Sequence, residues 1–170
     1  LMAAAVRSLF PGVHLGIGPA ISDGFYYDFE FPNGFSEEDL PRIEAKMREL
    51  IAQDLSYEPL TLTKSEAIDY FSAEGEHLKV ELIHEKAGET LSCYRLGDLV
   101  DFCTGPHLCS TGQIDPDSFR VLSIAGSYWR GDEHNQQLQR IYGTAFLTPA
   151  DLAEYLKQLE EARKRDHRRL

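Results

Sequence analysis

The segment from Asp101 to His107 holds the side chains whose types and spacing are best suited to chemistry. Cys103 and His107 flank Gly105 and Pro106, a pair that predicts a tight loop. A thiol and an imidazole at one turn can share a metal ion, form a nucleophile and base, or activate a water molecule. Zinc needs at least three protein ligands in a catalytic site, so two adjacent ligands are too few. The spacing alone also fits a buried cysteine beside a histidine that hydrogen-bonds its own loop.

An acid at the start of this segment and a lysine elsewhere in the sequence could act together with Cys103 and His107. Asp101 precedes Cys103 by two residues, so both side chains share one strand face if the neighbouring apolar residues face the core. A carboxylate there could bind a substrate ammonium group or orient His107, and the alternative is an exposed acid at a strand end. We expect Lys79 in the middle of a strand over 78–83, on the face opposite the apolar residues. It could stabilise a developing negative charge there, or be solvated.

Other candidate binding features are less specific. Gly16 and Gly18 lack the third glycine and the lysine of a phosphate-binding loop. The aromatic run over 25–31 could stack on a nucleotide base, although aromatic alternation in a strand favours a place in the core. Each of four further histidines, taken singly, is expected to be structural or to lie at the surface: His14, His77, His84 and His134.

Periodicity predicts the elements that must position these residues. Strands are predicted where apolar residues alternate, at 25–31, 78–83, 91–96, 119–125 and 138–146. Helices are predicted at 1–10, at 36–55 with Asp39 as N-cap, from a capping box at Thr63 and Glu66, and after Thr148. The last helix has Pro149 first and a predicted buried face of Leu152, Tyr155, Leu156 and Leu159. The fold class that follows is α/β (α+β), an antiparallel-rich sheet packed with helices.

Composition and charge exclude several classes of protein. The chain has 170 residues, a net charge of −11 and 42% hydrophobic residues, which is typical of one folded domain or one domain with a helical extension. Of the 28 acidic and 17 basic residues, 25 and 12 lie in residues 1–159, a net charge of −13 that should repel a phosphate backbone. Three cysteines predict no disulfide framework and favour a reducing cytosol. No apolar stretch is long enough to span a bilayer, so no membrane partner is expected.

Four motifs together resemble one family. Ile17-Gly18-Pro19 through Gly24-Phe25-Tyr26-Tyr27-Asp28-Phe29 and the loop Asp101-Phe102-Cys103-Thr104-Gly105-Pro106-His107 are similar to editing-domain segments of threonyl-tRNA synthetases. So are Tyr128-Trp129-Arg130-Gly131-Asp132 with the run 138–146, and the closing helix 159–168. The resemblance covers essentially the whole chain. It implies the second additional domain at 1–147 and a linker helix at 148–170 leading to a catalytic domain that this sequence lacks.

The resemblance also implies an activity and a site. Such domains hydrolyse serine wrongly attached to the threonine tRNA, since one methyl group gives a single pocket only about 1–3 kcal/mol of discrimination. Carried over by position, Cys103, His107 and Lys79 would be catalytic residues, and Asp101 and Tyr27 would bind the seryl group. No cofactor is implied in this chain: ATP, magnesium and zinc belong to the catalytic domain. The implied partners are the seryl-bearing 3′ end of threonine tRNA and the catalytic and anticodon-binding domains, in the cytoplasm.

One departure from the family pattern affects the expected activity. The family has a His-x-x-x-His pair on a helix, which we expect just upstream of Leu1. The related alanyl-type domains bind zinc through that pair together with the two residues at the positions of Cys103 and His107. We therefore expect the chain to be cut from something longer, to hold no stable zinc at these four positions and to be weakly active or inactive alone. The alternatives are a free-standing editing factor, a non-catalytic module that docks the tRNA acceptor end or packs between domains, and a zinc hydrolase with His77 or His84 as third ligand.

Overall fold

The computed structural model describes residues 1–85, 88–102 and 108–169 of the chain. Of residues 168 and 169 it describes the backbone alone. Its strands are β1 (His14–Leu15), β2 (Ala20–Ile21), β3 (Gly24–Glu30), β4 (Tyr57–Thr63), β5 (Thr90–Leu96), β6 (Leu99–Phe102), β7 (Phe119–Tyr128) and β8 (Gln137–Ala145). Its helices are α1 (Met2–Leu9), α2 (Asp39–Ala52), α3 (Lys64–Ala73), α4 (His77–Glu85) and α5 (Pro149–Arg169). Short 3₁₀ turns lie at Thr111–Gln113 and Trp129–Gly131.

The strands form two antiparallel sheets. The larger sheet has five strands in the order β1-β3-β8-β7, with β2 paired to β3. Its longest pairing joins β7 and β8, with a bulge between Val121 and Ser123. The smaller sheet has the order β4-β5-β6. Antiparallel sheets packed with helices confirm the predicted fold class.

Each sheet has its own apolar core. The larger core lies between the five-stranded sheet and helices α1 and α2, and it includes Phe29, Ile43 and Ile141. The smaller core lies between the three-stranded sheet and helices α3 and α4, around Phe71 and Ile83. Strand β6 contributes to both cores, because Leu99 belongs to the larger one and Val100 to the smaller.

The helix ends confirm most of the predicted caps. At α3 the Thr63 hydroxyl accepts a hydrogen bond from the Glu66 backbone N–H, and the Glu66 carboxylate accepts one from the Thr63 N–H, which completes the capping box. At α5 the Thr148 hydroxyl accepts from the Asp151 N–H at 3.2 Å. Helix α2 differs, since Asp39 lies inside its first turn and its carboxylate accepts from the Ser36 N–H at 2.9 Å.

One predicted element is wrong, and another is buried over less of its length than expected. Residues 78–83 form part of helix α4 and are not a strand, so Lys79 lies on a helix. A short segment with apolar residues at 78, 80, 82 and 83 fits both periodicities. Here Leu78 and Leu82 pack against Trp129, while Val80 and Ile83 pack in the smaller core, as one helix with two packed sides allows. In α5 the predicted buried face stops early: Leu152 is buried, whereas Leu159 is 40% exposed.

No helix within the described ranges is long and apolar enough to cross a membrane.

Candidate functional site

A cavity of about 630 Å³ opens between the large sheet, α1 and α4. Its walls are mostly apolar, with side chains from α1, α2, α4 and β7 such as Met2, Met47, Leu82 and Phe119. Its polar lining includes Tyr26, Tyr27, Lys79, Tyr94 and Asp101. A largely apolar cavity of this size with a few convergent polar groups is the usual form of a small-molecule site.

Three of these polar side chains form one hydrogen-bonded group, which we call the Tyr27–Lys79–Asp101 triad. The Tyr27 hydroxyl donates to Asp101 Oδ2 at 2.7 Å, and Lys79 Nζ donates to the Tyr27 hydroxyl at 2.9 Å. Lys79 Nζ also makes a direct ion pair with Asp101 Oδ1, which accepts a further bond from the Phe102 backbone N–H at 2.7 Å. Each of the three polar groups therefore contacts the other two.

Three separate elements bring the triad together. Tyr27 lies on β3, Lys79 on α4 and Asp101 on β6. Alternation along β6 turns Val100 towards the smaller core and Asp101 towards the cavity, whereas Phe102 packs against the smaller core and also lines the cavity. Asp101 therefore faces away from Val100, as expected, whereas Phe102 does not lie wholly on the opposite face.

The triad is almost fully buried, which makes its pairing obligatory. Lys79 is 2% exposed and Asp101 is 3% exposed. An isolated charge at such depth is strongly disfavoured, so each of these two ions requires the other. The Lys79 ammonium also lies 4.9 Å from the centre of the Phe102 ring, a cation–π contact.

Tyr27 stays neutral over the physiological range. Burial raises the pKa of its hydroxyl well above 10, and the nearby Asp101 carboxylate raises it further. Tyr27 is therefore a fixed hydrogen-bond donor at the cavity wall and not an acid or base at neutral pH.

The backbone of residues 17–19 lines the cavity beside Tyr27. The Asp28 N–H donates to the Ile17 carbonyl at 2.8 Å, which fixes this segment along β3. A Cβ atom at Gly18 would lie 2.1 Å from the Tyr27 ring, so only glycine permits this approach. The Gly18 position thus keeps the ring of the triad tyrosine in place.

The structure unites three of the five predicted site residues. Tyr27, Lys79 and Asp101 meet in the triad, whereas Cys103 and His107 lie outside the described residues. The expectation of a strand-borne Lys79 is wrong, and so is the alternative that its side chain is solvated. Helix α4 instead turns the lysine inward, and the ion pair with Asp101 compensates its burial.

A second polar cluster was not predicted from the sequence. A ring nitrogen of His14, one of His77 and a carboxylate oxygen of Glu30 all lie within 4.8 Å of one another. Within the described part of the chain, this group could hold a metal ion. The sequence predicts His77 as a structural or surface residue, or alternatively as a third zinc ligand beside Cys103 and His107, and the predicted strand over 78–83 gives no reason to place it near Glu30.

Comparisons with known proteins agree with the resemblance. Residues 91–142 match the family described as "Threonyl and Alanyl tRNA synthetase second additional domain". The whole chain is 56% identical to a threonine–tRNA ligase of Pelobacter propionicus over 170 residues, and 52% identical to one of Carboxydothermus hydrogenoformans over 171 residues. A threonine–tRNA ligase of Acetivibrio thermocellus is 50% identical, again over the full chain.

These relatives are much longer than the chain. It covers 26% of the Pelobacter protein and 27% of each of the other two, so it spans about a quarter of the curated relatives it matches. The matched family segment includes β5, β6 and Asp101, and it ends within β8. Residues 91–142 therefore belong to the second additional domain family of threonyl and alanyl tRNA synthetases, and the whole chain is similar to a segment of threonine–tRNA ligases.

Proposed function

We propose that the chain is the proofreading domain of a threonine–tRNA ligase and that its cavity hydrolyses serine from mischarged threonine tRNA. The observation that carries the proposal is the buried Tyr27–Lys79–Asp101 triad at the wall of the cavity. Buried ionisable groups that converge on an apolar cavity are typical of functional sites. The volume of about 630 Å³ suits a ligand such as an amino acid esterified to a nucleoside.

The proposed reaction is the attack of a water molecule on the ester carbonyl carbon. The new C–O bond gives a tetrahedral intermediate with a negatively charged oxygen, and the bond to the ribose oxygen then breaks. Serine leaves with a carboxyl group, and the ribose oxygen leaves as a hydroxyl after taking a proton. The Lys79 ammonium is fixed in advance by two acceptors, so it could stabilise the developing charge without reorganising.

Asp101 has the acceptor capacity to bind the seryl group. Its described contacts use three of the roughly four lone-pair directions of a carboxylate: two at Oδ1 and one at Oδ2. One direction at Oδ2 is left for the ammonium or the hydroxyl of serine. The same carboxylate is held by Tyr27 and Lys79, so the bound serine would have a defined position relative to the cavity wall.

The remaining roles are assigned to Cys103 and His107, which follow β6 in the sequence. His107 would orient or deprotonate the attacking water, because an imidazole can act as a base near neutral pH. The Cys103 thiol would shape the pocket or hydrogen-bond the substrate and would not form a covalent intermediate. Rejection of threonine would come from the tight fit around the serine side chain, where one methyl group is worth about 1–3 kcal/mol.

The proposed partners follow from the length of the relatives. The catalytic and anticodon-binding domains would hold the tRNA, and this domain would receive only its charged 3′ end. The net charge of −13 over residues 1–159 is consistent with tRNA binding mainly to the other domains, since it disfavours binding of this chain to the phosphate backbone. We expect no cofactor in the cavity, and ATP and magnesium would act in the catalytic domain.

The test is release of serine from seryl-tRNA(Thr) by a version of the chain extended at its N-terminus, which is expected to have a measurable rate, and by the Lys79→Met variant of that version. We expect the variant to lose at least a hundredfold in rate, the typical cost of removing one stabiliser of a developing oxyanion. Lys157→Met is the matched control, because Lys157 is exposed on α5. Equal rates for the Lys79 variant and the control would contradict the proposal.

The same assay separates the alternatives. A version extended at its N-terminus tests whether an upstream histidine pair contributes, and equal rates with and without it would show that the pair is dispensable. Binding of seryl-tRNA(Thr) without hydrolysis in both versions would favour a docking module instead. Full activity on tRNA that no other domain holds would favour a free-standing editing factor.

A further inference from the structure

Three side chains outside the cavity converge at the start of helix α4. We call them the His14–Glu30–His77 cluster. His77 Nε2 lies 3.0 Å from Glu30 Oε1, and the His14 and His77 rings lie 4.9 Å apart between centres. The three potential ligand atoms lie within 4.8 Å of one another. None of the three residues lines the cavity that holds the triad.

The fold fixes this convergence through backbone pairing. His14 on β1 is the direct cross-strand partner of Glu30 on β3, so both side chains point to the same face of the sheet. His77 is the first residue of α4. Its neighbour Glu76 is buried and accepts a hydrogen bond from the Leu15 backbone N–H at 2.8 Å, which holds the start of the helix against β1.

One atom of the cluster lacks a partner that its burial demands. His14 Nδ1 is inaccessible to solvent and makes no hydrogen bond with any described residue. A buried polar atom without a partner costs about 1–3 kcal/mol, so such atoms are rare in folded proteins. A bound cation would provide a partner, since a neutral imidazole nitrogen is a common metal ligand.

We propose that His14, Glu30 and His77 bind one divalent transition-metal ion, with Zn²⁺ the best match. Two imidazoles and one carboxylate are a ligand set that zinc uses in proteins, with a fourth position left for water. Ligands about 2.0–2.1 Å from a tetrahedral ion lie about 3.3 Å apart, close to the 3.0 Å between His77 and Glu30. Hard ions such as Mg²⁺ and Ca²⁺ prefer oxygen ligands and would bind poorly.

Such an ion would join three elements at one point. It would link the β1–β3 pair of the large sheet to the first residue of α4, two residues before Lys79. Its role would be to hold the orientation of α4, and it would not take part in chemistry at the cavity. The site does not depend on the proposed deacylation and can be tested without substrate.

The experiment is calorimetric titration of the metal-free chain with Zn²⁺, together with thermal unfolding at several Zn²⁺ concentrations. We expect one ion per chain, a melting temperature that rises with Zn²⁺, and weaker binding in acid as protons compete for the imidazoles. His14→Gln, Glu30→Gln and His77→Gln should each lower the affinity at least tenfold. His77 is 48% exposed, so its variant should fold even if the His14 variant does not.

Controls separate this site from any other zinc ligands in the chain. His134→Gln removes an exposed histidine and should leave Zn²⁺ affinity unchanged. The Cys103→Ser/His107→Gln double variant should also bind Zn²⁺ normally, and the Co²⁺-loaded chain should lack thiolate-to-cobalt charge-transfer absorption. Unchanged affinity in His77→Gln and Glu30→Gln would overturn the proposal, as would the absence of saturable binding below 1 mM Zn²⁺.

Discussion

Neutralising Asp101 should be far more costly than neutralising an exposed carboxylate. In Asp101→Asn the Lys79 ammonium stays buried at 2% exposure and loses its counter-ion. Breaking a buried ion pair by removing one partner typically costs about 3–5 kcal/mol, because the other charge is left uncompensated. With a urea m value of about 2 kcal/mol/M, a loss of about 4 kcal/mol lowers the midpoint by about 2 M.

Urea unfolding followed by tryptophan fluorescence measures this loss. The chain has one tryptophan, Trp129, which is buried and packs with Leu78 of the helix that carries Lys79. Glu49→Gln is the matched control: Glu49 is exposed and pairs with Lys46 at 3.2 Å. An exposed pair contributes about 0–1 kcal/mol, so the control should shift the midpoint by less than 0.5 M, again taking m as about 2 kcal/mol/M.

The double variant Lys79→Met/Asp101→Asn provides the decisive comparison. It removes both charges at once, so its loss of stability should be smaller than the sum of the two single losses by about 2 kcal/mol or more. If Asp101→Asn costs no more than Glu49→Gln, or if the two single losses simply add, the reasoning about the buried pair is refuted.

Three further predictions concern other parts of the chain. Thr63→Ala should destabilise by about 1 kcal/mol through loss of the α3 cap, and Glu66→Ala should cost little more in that background, as urea unfolding would reveal. Burial raises the pKa of Glu76 above 4.5, so the folded state favours the neutral carboxyl group. The contribution of this neutral group to the free energy of unfolding is complete below pH 4.5 and is lost as the pH rises through the raised pKa. Glu76→Gln should therefore raise the melting temperature relative to the parent chain at pH 7–8, with a difference that closes towards pH 4. Tyr27→Phe removes the hydroxyl between Lys79 and Asp101 and should slow serine release without abolishing folding, which rate and circular dichroism measurements would check; an unchanged rate would place the hydroxyl outside the mechanism.

Local signals made several elements predictable. The cap at Thr63 involves Glu66, and the cap at Thr148 involves Asp151, in each case a residue three positions further along the chain. Both caps are present as expected. The strand predicted over 78–83 is wrong because four apolar residues in a six-residue segment satisfy both periodicities. Packing of these residues against Trp129 on one side and in the smaller core on the other decides for a helix.

The candidate site was predictable in its members and not in its arrangement. Tyr27, Lys79 and Asp101 were all singled out from the sequence and its resemblance to a family. Their mutual bonds join residues 74 and 22 positions apart in the chain, and no local pattern encodes such pairs. The pairing of His14 with Glu30 was equally hidden, because β1 has only two residues and gives no alternation to read.

Strand β6 has a consequence for partial unfolding. Leu99 is buried in the larger core and Val100 in the smaller one, so this strand packs against both cores. Regions with separate cores often open as separate cooperative units. If the small sheet and α3 open first, β6 leaves with them and takes Asp101 out of the cavity while the large sheet remains folded. The lifetime of the Tyr27–Lys79–Asp101 triad would then be set by the less stable half of the molecule, and amide exchange along β5 and β6 would measure it directly.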